Sequence, residues 1–270
     1  MPELPEVETT RRGLLPALKN RRIIDVVVRD ARLRWPVEAD FASHLRGQLV
    51  VDVDRRAKYL LVKLQEGFAV WHLGMSGSLR IVPSHVPARL HDHVDLVLDD
   101  GKTLRFNDPR RFGCVFWTDD PLRHKLLRSL GPEPLNDEFH VSYLAAKAKG
   151  RSVAIKQFIM NPNIVVGVGN IYASEALFHA GIRPRRAAGR IKRDELAKLV
   201  KSIKKVLSAA IKQGGTTLRD YVNTDGAPGY FRQKLFVYER VNEPCRVCKT
   251  SIVQLTQGQR STYYCPVCQR

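Results

Sequence analysis

Two groups of residues, one at each end of the chain, have types and spacings suited to chemistry. At the start, Met1-Pro2-Glu3-Leu4-Pro5-Glu6-Val7-Glu8 puts a proline second and a carboxyl group beside it. A small second residue generally allows the initiator methionine to be removed, which leaves Pro2 as a free secondary amine. Such an amine attacks an aldehyde carbon and forms an iminium ion, the electron sink of Schiff-base chemistry. The same stretch also fits the plain start of a helix. At the other end, Cys245-x2-Cys248 and Cys265-x2-Cys268 are separated by 16 residues, the spacing of a four-cysteine structural zinc site. With all four ligands thiolate, one Zn2+ ion has no open position and holds shape only.

These groups need elements to hold them. Apolar spacing after Glu3 reads as an amphipathic helix to about Leu18, which sets the amine at the helix's positive end. A strand-rich region follows: 23–28, 49–64, 68–82, 93–98, 103–106 and 114–117, with the turn Asp99-Asp100-Gly101-Lys102 between two of them. Short strands with an Asp-Gly turn indicate antiparallel pairing in a sandwich or barrel, and Cys114 fits a small apolar core position. Leu130-Gly131-Pro132-Glu133-Pro134-Leu135 reads as a punctuated linker at a domain boundary. Beyond it, 140–149, 152–160, 170–180 and 193–213 show helical spacing. From Arg183 to Lys205 ten Lys/Arg face two carboxylates, a face either solvated or turned to phosphate. Residues 214–231 carry too many Gly and polar residues for a packed helix, and a loop that long is usually functional. Between the cysteine pairs, strands at 252–256 and 261–264 flank a turn Gln257-Gly258-Gln259-Arg260, with Arg260 at the tip, either solvated or a phosphate contact.

Bulk properties narrow the partners. At 270 residues there is material for two domains, and a net charge of +18 with a pI near 10.0 points to a polyanion, nucleic acid before membrane. No apolar run approaches the ~20 residues of a membrane span, and the acidic, proline-bearing start is no signal peptide. A cytoplasmic protein is expected. Four of five cysteines fall in the last 26 residues, which fits metal binding in a reducing compartment.

The segments Pro2-Glu3-Leu4-Pro5-Glu6-Val7-Glu8, His72-Leu73-Gly74-Met75-Ser76-Gly77, Asp108-Pro109-Arg110-Arg111-Phe112-Gly113 and Gly167-Val168-Gly169-Asn170-Ile171-Tyr172, with the four-cysteine finger, resemble formamidopyrimidine-DNA glycosylase over essentially the whole chain. The resemblance implies an α+β protein. Its parts would be an N-terminal helix with an antiparallel β-sandwich (1–130), a helix-two-turn-helix domain with a lesion-capping loop (131–235), and a β-hairpin zinc finger (236–270). It implies a monomer that flips oxidised purines out of damaged double-stranded DNA and excises them. Pro2 would attack C1′ and form the iminium, after which β- and δ-elimination cut the strand on both sides of the lost sugar. Glu3 would shuttle protons, Lys58 would be the second general acid and base, and Arg260 would hold the lesion's phosphate and assist the later elimination. Met75, Arg110 and Phe112 would fill the void left by the base, as apolar wedge, partner for the orphaned base and stacking ring. His91, Arg151, Lys156 and Asn170 would contact DNA, and the loop 217–230 would close over the flipped base. Arg151 stands where the family leads one to expect lysine, a swap that keeps the charge but changes its geometry.

On residue type alone the alternatives stay open. Lys58 is a strand lysine, Met75 and Phe112 are core residues as easily as wedges, Asn170 is a routine N-cap, and His91-Asp92-His93 lacks further metal ligands. An endonuclease VIII-like enzyme for oxidised pyrimidines shares the architecture. A zinc-finger DNA-binding protein without chemistry would explain the charge and the cysteines but not the N-terminus. An α-amine titrates near pH ~8, and a helix terminus shifts that by less than about one unit toward the neutral form. Glu3, Glu6 and Glu8 oppose the shift, so placement against C1′ must matter more than acidity.

Overall fold

The computed structural model describes residues 2–215 and 235–270, so the expected capping loop 217–230 lies outside the described residues. The described residues form two compact units, 2–128 with 213–215 and 129–212 with 235–270.

In the first unit, helix α1 (Leu4–Leu18) buries Leu4, Val7, Leu14 and Leu18, the stripe that its apolar spacing anticipates. Pro5 sits in its first turn, where a missing N–H costs nothing, and the chain turns extended at Lys19. Eight strands then build two four-stranded antiparallel sheets. One is ordered β1 (Ile23–Val28), β6 (Asp92–Leu98), β7 (Lys102–Asn107) and β5 (Ser78–Pro83). The other is ordered β2 (Val50–Arg56), β3 (Tyr59–Leu64), β4 (Phe68–His72) and β8 (Cys114–Thr118). The short helix α2 (Phe41–Leu45) adds Phe41 to the core. There Trp71 is fully buried, edge-on to Phe41 at 6.3 Å and to Phe106 at 5.5 Å. Each such side chain contributes about 1.5–3 kcal/mol by leaving water.

Two expected long strands are each broken in the structure. The stretch 49–64 is a hairpin whose two-residue turn is Ala57-Lys58, with Arg56 paired to Tyr59 and Ala57 at φ 57°. The apolar alternation continues through the turn, which hides it in the sequence. The stretch 68–82 divides at Leu73–Gly77, and its halves join different sheets. Gly74 at φ 63° makes that turn, where a Cβ would lie 2.4 Å from the Phe112 carbonyl carbon.

In the second unit, α3 (Val141–Ala148), α4 (Ile155–Met160), α5 (Asn170–Ala180) and α6 (Arg193–Lys212) follow the expected helices closely. His140 caps α3, accepting from the Tyr143 N–H, and Gly181 in the left-handed conformation ends α5. The 130–135 stretch is no free linker: Gly131 N–H donates to Pro162 O at 2.8 Å and Val166 N–H to Pro132 O at 3.2 Å. Strands β9 (Val253–Gln257) and β10 (Arg260–Tyr264) form the expected hairpin, β9 shifted one residue along the chain and β10 starting one residue earlier than anticipated. No helix among the described residues is long and apolar enough to cross a membrane.

Candidate active site and nucleic-acid interface

Pro2 is buried just ahead of α1, and Glu3 is the helix's N-cap at 2 % exposure. Glu3 and Glu6 form a reciprocal capping box, in which Glu6 Oε2 accepts from the Glu3 N–H at 2.8 Å. The box fixes the backbone that carries Pro2, so the start of the chain is a rigid mount rather than a frayed end. One turn on, Glu8 accepts from Arg11 and Arg12 and lies 3.3 Å from Arg55 Nε on β2, which pins the helix to the sandwich. Gly215, the last described residue before the 216–234 stretch, passes so near Glu6 that a Cβ there would lie 3.0 Å from Glu6 Oε1.

Lys58 stands in the β2–β3 turn, half-buried, so the expected strand lysine is corrected to a turn lysine. A hairpin tip with a left-handed Ala57 frees the side chain from the alternation of the sheet. Nearby His72, cross-strand to Tyr59, accepts the Gly74 N–H on Nδ1 at 3.0 Å, which leaves Nε2 as the protonated nitrogen of a neutral ring. Burial, then the charges of Lys58 and Arg34, pull its pKa down to about 4. His72 lies inside a quoted motif, yet residue type alone gave it no role; its signal was adjacency to the Gly74 turn. Cys114 is a core thiol as expected, pushed up to about 12 by burial and so no nucleophile.

The loops around Met75 and Phe112 meet. Phe112 is 43 % exposed, which removes it from the core, and the Arg110 guanidinium carbon lies 5.1 Å from its ring centroid. Met75 is half-buried in the turn after β4, and that turn packs against the Phe112–Gly113 backbone. An exposed ring, a cation over it and a flexible apolar side chain thus sit on two adjoining loops of the first unit. His91 is half-buried at φ 73°, 6.2 Å ring to ring from His93. The only group of metal-ligand type among the described residues is the cysteine cluster.

In the second unit Arg260 is exposed at the first residue of β10, beside the turn Gly258-Gln259, both at positive φ. A cleft of about 190 Å³ beside it is lined by Lys156, Gln157, Met160, Asn161, Gln257 and Gly258. Lys156 is only 1 % exposed, and its Nζ donates to Asn170 Oδ1 at 2.6 Å, Thr262 Oγ1 at 2.7 Å and Ser261 O at 3.1 Å. An ammonium has three donors, and these three acceptors make Lys156 a strut beneath the hairpin. Asn170 is the first residue of α5 after the cap Gly169, and its Nδ2 donates to Ser261 O at 3.0 Å. Its side chain therefore braces the finger instead of capping the helix. Arg151 is exposed in the turn between α3 and α4. Glu175, passed over in the sequence, is buried and accepts the N–H groups of Phe236, Val237 and Tyr238 at 2.8–2.9 Å, anchoring the chain that leads to the finger.

The sulfurs of Cys245, Cys248, Cys265 and Cys268 all lie within 4.8 Å of one another, with 3.9 Å between Cys245 and Cys268 and 3.4 Å between Cys248 and Cys265. Tetrahedral bonds of about 2.3 Å require S···S near ~3.8 Å, so the cluster fits one zinc ion. Hydrogen bonding to Thr250 draws the Cys248 thiol down to about 6, while burial pushes Cys265 and Cys268 up. Only a cation makes four thiolates stable at this distance.

A sandwich headed by a rigid N-terminal proline, a helical unit and a zinc finger define the class of helix-two-turn-helix DNA glycosylases. The comparisons agree along the chain. Residues 1–115 match the formamidopyrimidine-DNA glycosylase N-terminal domain, 130–222 its H2TH domain, and 242–270 the zinc finger found in FPG and IleRS. The formamidopyrimidine-DNA glycosylases of Pseudomonas putida and Methylococcus capsulatus are 57 % and 58 % identical, covering all of both chains. The crystal structure of the MutM (FPG) protein from Thermus thermophilus matches with a TM-score of 0.90 at 39 % identity, over 99 % of this chain and 98 % of that one. The Lactococcus lactis Fpg in complex with abasic-site DNA matches at 0.92 and 30 % identity, over 99 % of each. The chain belongs to the formamidopyrimidine-DNA glycosylase family. It is a DNA-repair glycosylase with lyase activity, and its finger is the seat of one structural zinc ion.

Proposed function

We propose that this enzyme excises oxidised purines, 8-oxoguanine and formamidopyrimidines, from duplex DNA and then cuts the abasic strand. The observation that carries this reading is the buried Pro2 held ahead of α1 by the Glu3–Glu6 capping box. A DNA-binding protein without chemistry has no use for a fixed N-terminal amine. The Pro2 nitrogen attacks C1′, the N-glycosidic bond breaks and its electron pair leaves with the base. The sugar ring opens as Glu3 delivers a proton to its oxygen, leaving an iminium at C1′. The iminium acidifies C2′–H; loss of that proton expels the 3′ phosphate, and a second elimination expels the 5′ phosphate. Lys58 serves as the second proton-transfer group. Arg260 holds the lesion's phosphate beside the 190 Å³ cleft and steadies charge as it leaves.

Extruding the nucleotide costs a few kcal/mol, which Met75, Arg110 and Phe112 offset by occupying the gap. The exposed Arg110–Phe112 pair supports that role. His91, Arg151 and Asn170 add contacts along the backbone, and Lys156 holds Asn170 and the hairpin in place. The three functional parts follow the boundaries 1–130, 131–235 and 236–270. The net charge of +18 suits a protein that works on DNA in the bacterial cytoplasm, at the nucleoid. The structural relatives include the Lactococcus lactis Fpg bound to N7-benzyl-Fapy-dG DNA, which supports the same substrate class. The test is strand incision on duplexes carrying 8-oxoguanine or an oxidised pyrimidine: preference for the purine supports the reading, and cutting of the pyrimidine alone overturns it.

A further inference from the structure

We propose that Asp108 is a positioning residue for base extrusion, a buried clasp that locks the loops carrying Met75, Arg110 and Phe112 into one stiff wedge. The proposal rests on the void-filling role given to those three residues above. Asp108 is 0 % exposed. Its Oδ1 accepts from Ser76 Oγ at 3.0 Å, in the turn next to Met75. Its Oδ2 accepts from the Gly113 N–H at 2.7 Å, directly after Phe112. One carboxyl group therefore closes both loops. Its backbone does the same for their surroundings: Asp108 O accepts from His93 Nε2 at 2.9 Å and from the Arg111 N–H at 3.2 Å, and Asp108 N–H donates to His91 O at 3.0 Å.

The fit around this clasp leaves no slack. A Cβ on Gly113 would lie 2.9 Å from Asp108 Oδ2 and 2.7 Å from His72 O, and one on Gly77 would lie 2.3 Å from Leu73 O. The His72 and Leu73 oxygens are backbone atoms, which cannot swing aside. The loops meet through close-packed glycines and one buried acceptor, while the side chains that must enter the stack stay exposed. A wedge performs work on stacked bases only if its mount does not yield, and a mount two hydrogen bonds wide is stiff because breaking either strands a buried polar group. Asp108 acts through Ser76 and Gly113, not on the reacting atoms.

The test compares Asp108→Ala, Asp108→Asn and Ser76→Ala on two substrates in single turnover: duplex 8-oxoguanine, where a base must be extruded, and single-stranded DNA with a preformed abasic site, where none is. An asparagine turned with Oδ1 to Gly113 and Nδ2 to Ser76 Oγ keeps both links, so Asp108→Asn should stay within about threefold of the parent on both. Asp108→Ala and Ser76→Ala should lose about ten- to hundredfold on the duplex, the range for stranding buried hydrogen-bond partners. Cleavage of the single strand should hold within about twofold. A parallel loss on both substrates, or none on the duplex, overturns the clasp, and Ser76→Ala decides the matter if Asp108→Ala does not fold. Phe112→Ala separates the two layers: unimpaired extrusion there sinks the wedge and the clasp with it, whereas slowed extrusion with a normal Ser76→Ala sinks the clasp alone.

Discussion

Lys156 Nζ lies 2.6 Å from Asn170 Oδ1, and both side chains reach the backbone oxygen of Ser261 on the finger's second strand. Two helices and the hairpin that carries Arg260 are thus fastened by one buried ammonium. The hairpin that presents Arg260 therefore rests on a buried cation.

Lys156→Met, which keeps the length and removes the donors, should therefore destabilise the folded protein by about 2 kcal/mol or more, as three acceptors lose a charged partner. Thermal or urea unfolding measures it. A surface phosphate contact behaves otherwise, since its loss leaves stability unchanged and lowers only the salt dependence of DNA binding.

His72 gives a pH dependence with a definite sign. Its ordinary value of 6.5 falls to about 4 in the fold, through burial and then the charges of Lys58 and Arg34. Between those values the unfolded chain takes up a proton that the folded chain refuses. The stability is complete above pH 6.5 and drains away as pH falls toward 4, by at most about 3 kcal/mol. His72→Gln should flatten that segment of the stability curve. Parallel curves for parent and variant would contradict the neutral ring.

Zinc removal should act at a distance from the chemistry. With four thiolates and no open position, the ion holds the hairpin that presents Arg260. Chelation should weaken duplex binding at least about tenfold, because a finger of this size folds on its metal. Cobalt in its place should show the visible absorption of a tetrahedral sulfur site. An octahedral spectrum, or full DNA binding by the metal-free protein, would contradict the assignment.

The parts of this architecture that follow from local pattern were legible in the chain. Helices α5 and α6, most strands and the cysteine pairs were all visible as periodicity or spacing, and Arg260 fell beside the tip of a hairpin that had been read correctly. What escaped depends on partners far along the chain. Lys58 looked like a strand residue because alternation runs on through a turn that only the left-handed Ala57 reveals. The bracing contacts of Lys156 left no trace in the sequence because its acceptors on β10 are about a hundred residues away. Glu175 accepts from backbone N–H groups and Asp108 from a backbone N–H and a serine hydroxyl 32 residues away, and such partners leave no mark on residue type. The exposed Phe112 was undecided in the sequence because a wedge and a core residue share the same chemistry.

The most direct test of the central claim is borohydride reduction of the protein with duplex 8-oxoguanine DNA, followed by mass mapping of the adduct. The iminium mechanism predicts a stable cross-link on the Pro2 nitrogen, abolished when Met1 is retained and in Pro2→Gly, while duplex binding survives. A cross-link that persists with Met1 in place, or that maps to Lys58, would contradict Pro2 as the nucleophile.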